Sequence, residues 1–186
     1  LYKKGNGLFL YDIAKKDRIS VLSSDILLDF DLSSDGKRVA YSLEEDGFEG
    51  NADIYVKDIA SGKTTRLTEK NDIASVNPKI TPDGKKVLYI RRTKNKKYPE
   101  YLDDALWAIN IDGNQDSSYE IKKIPIDYDE LVKNKDVYCY GDKELKKPKT
   151  SIEKISPDSS RVFFNTLEIG NCVGGYGTKS LVSIKD

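Results

Sequence analysis

The chain has 186 residues, with 31 Lys and Arg balanced by 31 Asp and Glu, 38% apolar residues and 10% aromatics. That is one domain of ordinary size, polar but able to bury a core, with too many aromatic rings for a disordered chain. Zero net charge gives no global field for nucleic acid or an anionic membrane, no run of about eighteen apolar residues is present to span a bilayer, and the absence of His excludes Ser-His-Asp, Cys-His and His-metal chemistry from within the chain.

In chain order, two short strands come first, at 7–23. Leu8-Phe9-Leu10-Tyr11-Asp12-Ile13 and Arg18–Ser23 flank the polar turn Ala14-Lys15-Lys16-Asp17. Next comes Ser33-Ser34-Asp35-Gly36-Lys37-Arg38-Val39-Ala40-Tyr41-Ser42. It is echoed by Thr81-Pro82-Asp83-Gly84-Lys85-Lys86-Val87-Leu88-Tyr89-Ile90 and by Ser156-Pro157-Asp158-Ser159-Ser160-Arg161-Val162-Phe163-Phe164-Asn165, at spacings of 48 and 75 residues (81−33 and 156−81). Each copy is a tight turn followed by a β-branched and aromatic strand, since Gly accepts positive φ and Asp bonds its own backbone. Ser159 stands in place of Gly in the third copy, which predicts a strained or altered turn there.

A second echo follows each turn. Leu8–Ile13 matches Ile54-Tyr55-Val56-Lys57-Asp58-Ile59 and Leu106-Trp107-Ala108-Ile109-Asn110-Ile111, and more weakly Leu181-Val182-Ser183-Ile184. Further strands are expected at Thr64–Thr68 and Tyr119–Pro125, and only Tyr128–Lys135 has any helical period. The repeated unit is four short antiparallel strands A to D, the pattern of a β-propeller blade.

Pro82–Tyr89, together with Asp53-Ile54-Tyr55-Val56-Lys57-Asp58-Ile59-Ala60-Ser61-Gly62-Lys63-Thr64-Thr65-Arg66-Leu67-Thr68, closely resembles the TolB-like propeller repeat. That repeat occurs in a periplasmic protein, in the propellers of prolyl oligopeptidase-family peptidases and in cell-surface proteins. The resemblance implies an all-β propeller and is nearly silent on function, because its residues make turns and strands. The expected blades are strands C and D at 7–23, a full blade at 26–68, a second at 76–125, an insertion at 126–150, and strands A to C at 151–186. Two full and two partial blades fall short of the four to eight that typically close a ring. The count, like the absence of Met, points to a processed chain or a piece of a larger propeller, or to a ring completed by a second copy.

A–B and C–D turns project from one face of a propeller, and B–C and D–A connections from the other. The long segments all fall on the second face: 44–52, 91–104, 126–150 and 166–179. Glu44–Asn51 is acidic, whereas Arg91–Tyr101 is basic. Tyr and Arg on exposed loops suit a protein or peptide partner, so the candidate binding residues are Arg91, Arg92, Lys94, Tyr98, Tyr101, Tyr138 and Tyr140. The plainer alternative is that these charges are solvated and the rings cover the sheet ends. Cys139 and Cys172 would both project from this face. A bond between them closes 33 residues (172−139), worth roughly 4 kcal/mol on a chain-entropy model, and implies an oxidising, extracytoplasmic compartment.

No cofactor or metal is expected. Asp112–Lys123 spaces oxygen ligands like a calcium loop, but its sixth residue is Ser117 and its twelfth Lys123, so a hairpin turn is the better reading. Gly170–Gly177 lacks a phosphate-loop ending, and no Gly-x-Ser-x-Gly elbow occurs. The leading expectation is a non-catalytic extracytoplasmic propeller that binds protein or peptide, without nucleic acid and without spanning a membrane. The alternatives are the gating propeller of a prolyl oligopeptidase-like serine peptidase, and a cell-surface carbohydrate-binding module.

Overall fold

A computed structural model describes residues 1–44, 51–69, 74–97, 102–113, 118–123, 149–168 and 176–184. They form fourteen strands in four antiparallel sheets, with no helix among the described residues. The first sheet holds β1 (Tyr2–Lys4), β2 (Gly7–Asp12) and β3 (Asp17–Ser23). The second holds β4 (Leu27–Leu32), β5 (Arg38–Glu44), β6 (Ala52–Asp58) and β7 (Thr64–Arg66). The third holds β8 (Ala74–Ile80), β9 (Lys86–Lys94), β10 (Leu102–Asn110) and β11 (Tyr119–Lys123), and the fourth β12 (Lys149–Ile155), β13 (Arg161–Glu168) and β14 (Tyr176–Ser183).

Several bounds differ from the sequence reading. A strand at Tyr2–Lys4 precedes the two expected at the start. The third sheet begins at Ala74 and the fourth at Lys149. Tyr128–Lys135, the one stretch with any helical period, lies outside the described residues.

Each A–B turn is built by one hydrogen-bond set, which explains why the tetrad repeats. Ser33 Oγ donates to Asp35 Oδ1 (2.6 Å) and accepts from Arg38 N (2.9 Å), while Lys37 N donates to Asp35 Oδ1 (3.0 Å). Thr81 and Asp83 do the same with Lys86 and Lys85, and Ser156 and Asp158 with Arg161 and Ser160. The fourth turn residue is left-handed in all three, at φ 71° for Gly36, 69° for Gly84 and 59° for Ser159. The third copy therefore keeps the geometry and carries the strain of a side chain at positive φ.

The sheets stack in chain order, and three apolar clusters join them. Leu8 and Val21 of the first sheet meet Val39 and Tyr41 of the second. Ala40, Ile54, Val56 and Leu67 of the second meet Val87, Tyr89 and Ile109 of the third. Leu88, Ile90, Leu106 and Ala108 of the third meet Ile152, Val162 and Phe164 of the fourth. Strand alternation sends Val39 and Tyr41 to one face and Ala40 to the other, so every sheet has a face toward its predecessor and a face toward its successor. We call these its leading and trailing faces. Full burial of each such aliphatic side chain contributes about 1.5–3 kcal/mol.

The innermost strands are laced together. β4, β8 and β12 each carry a bulge. Asn77 N donates to Asp29 Oδ2 (3.2 Å) and Ile80 N to Asp31 Oδ2 (2.8 Å), and Lys79 Nζ lies 3.7 Å from Asp31. One sheet further on, Ile152 N donates to Asn77 Oδ1 (2.6 Å). Amides that the bulges free from the ladder are thus satisfied by the preceding sheet. This side-by-side order of inner strands, with sheets packed face to face around it, is a radial arrangement of blades.

Candidate functional site

Antiparallel alternation places the ends of β5, β9 and β13 and the starts of β6, β10 and β14 at one rim. The connections there are 45–51, 95–101 and 169–175, whereas the opposite rim has the A–B turns 33–37, 81–85 and 156–160 and the C–D connections 13–16, 59–63 and 111–118. The second B–C connection is shorter than the expected 91–104, because β9 and β10 stay paired out to Lys94 and Leu102.

The charges in that extension are held by the sheet. The Arg91 guanidinium lies over the Trp107 ring, 4.5 Å from its centroid. Arg92 Nε is 3.2 Å from Asp104 Oδ1, and Asp104 is almost fully buried. Burial pushes the Asp104 carboxyl up from its ordinary range, against the pull of the Arg92 charge and of Thr150 across the sheet boundary. At the strand end, Asn95 Nδ2 donates to Asp103 Oδ1 (2.8 Å) and Asn95 Oδ1 accepts from Lys97 N (2.8 Å). Lys94 and Lys96 are exposed. Of the candidate residues, Arg91 and Arg92 therefore sit in β9, each engaged with its own sheet, and Lys94 projects at the rim. Tyr98, Tyr101, Tyr138 and Tyr140 lie outside the described residues, as do Cys139, Cys172 and the acidic residues 45–50.

Sequence reasoning missed Trp107, Asp103 and Asp104 as partners of this basic run. Their signal is the register itself, since Asp104 stands opposite Arg92 and Ala105 opposite Arg91. The second sheet solves a similar problem with Asp53, which is fully buried, accepts from Thr68 Oγ1 (2.7 Å) and pairs with Arg66. Asp53, Arg66 and Thr68 thereby join β6 to the chain around β7. Burial also pushes the Tyr89 phenol up to about 12.

Nothing described assembles reactive chemistry. Among the described residues, no group of three or more Asp, Glu or Cys is placed to hold a metal ion. The 112–123 segment forms the β10–β11 hairpin, with Gly113 at φ 88° and β11 pairing Ala105–Ala108, although residues 114–117 lie outside the described residues. No helix of the described residues is long and apolar enough to cross a membrane.

No family model matches this chain. One curated relative, dipeptidyl-peptidase 5 of Porphyromonas gingivalis, is 33% identical over 67 residues, a match that covers 33% of this chain and 10% of the peptidase. TolB from Acinetobacter baumannii superposes with a TM-score of 0.58 at 15% identity, covering 95% of this chain and 37% of that one. The chain folds as a TolB-like β-propeller. The β-propeller domain of the trilobed protease from Pyrococcus furiosus is similar in the same way, with a TM-score of 0.55 at 11% identity, covering 97% of this chain and 46% of that one. The chain thus spans less than half the length of either solved structure.

Proposed function

We propose that this chain is part of a non-catalytic, extracytoplasmic propeller that binds a protein or peptide at the rim carrying its B–C connections. One observation carries the reading: the rim opposite the tight A–B turns receives the long connection between β11, which ends at Lys123, and β12, which starts at Lys149. Residues 33–37, 81–85 and 156–160 are closed turns held by Ser33 and Asp35, by Thr81 and Asp83, and by Ser156 and Asp158, and 45–51, 95–101 and 124–148 connect strands at the other end of the blades. A rigid scaffold that varies its loops at one end is built for recognition, because preformed loops lose little entropy on binding. Lys94 and Lys96 supply exposed charge there, and the likeness to TolB supports an extracytoplasmic setting.

Selection of a displayed random-peptide library on the immobilised chain tests this reading. An enriched acidic peptide whose affinity falls at least tenfold on Lys94→Glu, with the thermal midpoint unchanged, is the expected outcome. Failure to enrich any peptide over a blank surface, or binding indifferent to Lys94→Glu, contradicts it.

A second reading has its own support. The stretch similar to dipeptidyl-peptidase 5 favours a propeller that gates a serine peptidase domain. An α/β segment with a Gly-x-Ser-x-Gly elbow and a His on the same polypeptide would decide for that reading.

A further inference from the structure

The fold treats the cations at the loop rim of the third sheet in two ways. Arg91 and Arg92 are turned onto their own sheet, over the Trp107 ring and against buried Asp104. Lys94, which ends β9, and Lys96, just beyond it, are exposed. So are Lys122 and Lys123, which end β11. In sequence these two pairs are far apart and belong to different turns. The sheet order β11-β10-β9-β8 brings both to one rim, with β10 between them.

Register sets the shape of this surface. Ala105 pairs with Lys123 on one side and with Arg91 on the other, so Lys123 stands three residues (94−91) short of Lys94. The β9–β10 ribbon therefore projects past the end of β11 and forms a ledge. Three residues of strand and two strand spacings are each about 10 Å, which puts the two lysine pairs about 14 Å apart, the span of about four residues of extended chain.

The carboxylates of this end are already engaged. Asp104 is buried against Arg92, and Asp103 Oδ1 accepts from Asn95 Nδ2 (2.8 Å). Glu120 lies toward the opposite rim, level with Trp107. The same end of the second sheet has the reverse sign. Its Arg66 is drawn onto buried Asp53, and Glu69 beyond it is exposed. A chain of zero net charge thus carries a charge step along one rim, from acidic on the second blade to basic on the third.

We propose that the ledge formed by Lys94, Lys96, Lys122 and Lys123 is the seat of an extended acidic peptide segment. The proposal rests on the reading of this rim as a peptide-binding surface and adds the ligand's charge and the part played by β11. Carboxylates spaced along an extended chain meet the two lysine pairs in turn, while Glu69 on the neighbouring blade repels them and so fixes where the segment lies. Rigid strands hold both pairs, so little side-chain or loop ordering opposes binding beyond that of the lysines themselves.

Fluorescence anisotropy with a labelled peptide of alternating Glu and Gly tests this, beside the Gln-Gly peptide of equal length. The chain is expected to bind the Glu peptide and not the Gln peptide. Affinity should weaken between about 0.01 M and 0.15 M salt, as the screening length shortens from about 30 Å to about 8 Å. Lys122→Glu with Lys123→Glu should weaken binding by about tenfold, through lost attraction and added repulsion at two exposed sites. Lys15→Glu with Lys63→Glu makes the same change in net charge on the opposite rim and should leave affinity unchanged. Thermal midpoints check each fold, and the Lys→Gln pair at 122 and 123 replaces the Lys→Glu pair if that one is destabilised. Equal binding of the Gln peptide, indifference to the 122 and 123 changes, or equal loss from the 15 and 63 changes overturns the proposal. Binding to phosphatidylserine vesicles without binding to the Glu peptide also overturns it, in favour of a membrane surface. A chain that selects neutral or basic peptides from a library yet ignores the Glu peptide removes this inference and leaves peptide binding at the rim standing, whereas a chain that binds no peptide removes both.

Discussion

Ser156 donates to Asp158 at 2.5 Å, and Ser160 adds its amide and hydroxyl. The first of these bonds contributes most to holding the Asp158 carboxyl low, at about 2. Its folded value lies below that of an unfolded Asp, about 3.9. The turn is thus stabilised above that pH and loses the contribution as pH falls toward 2. Ser156→Ala should move the Asp158 midpoint up toward the usual carboxylate range in a carbon-detected NMR titration, and an unmoved midpoint would contradict this turn chemistry. Residue-scale chemistry of this kind was legible because a Ser or Thr two residues before an Asp recurs at Ser33, Thr81 and Ser156. Arg91 and Arg92 were not legible as sheet residues. A run of cations reads as loop until the opposing strand is known to supply Trp107 and Asp104, and that pairing is set by register rather than by local composition.

The strands of each blade are fixed locally by β-branched runs between turns, yet the joints between blades rest on irregularities. Asn77 adopts φ 53° at the β8 bulge, its amide reaching Asp29 and its side-chain oxygen receiving the Ile152 amide. At the same place β12 has Ile152, which offers no acceptor, and β4 has Asp29, whose own amide turns to Ser42 Oγ (3.2 Å). The lacing runs in one direction, from β4 through β8 to β12. Asn77→Gly keeps the backbone conformation accessible and removes the acceptor. It should cost about 1–3 kcal/mol, the penalty for a buried donor left unpaired, and accelerate hydrogen exchange at the Ile152 amide. Unchanged exchange there would show that the bond is not formed. Sequence alone gave no hint of this lacing, because Asn77-Pro78 looks like a turn and Pro normally interrupts a strand; the bulge accommodates both. The strand at Tyr2–Lys4 escaped for a related reason, since only its pairing with Gly7–Phe9 marks it as the counterpart of β5 and β9.

At the scale of the whole molecule, periodicity carried the fold. The turn and strand-C echoes at three or four places required a repeated supersecondary unit, and each unit buries its apolar faces only by stacking on another. What periodicity could not show is polarity. The leading and trailing faces are assigned by which side of a strand each residue occupies, and bulges at Leu27/Phe30, Val76/Lys79 and Ile152/Lys154 shift that count. The central claim is the sequential, face-to-face order of the blades, and methyl–aromatic NOEs report on it directly. The account predicts cross-peaks from Leu8 or Val21 to Tyr41, from Ile54 or Val56 to Tyr89, and from Leu106 or Ala108 to Phe164. Cross-peaks that skip a blade, from Leu8 to Tyr89 or from Ile54 to Phe164, would contradict it.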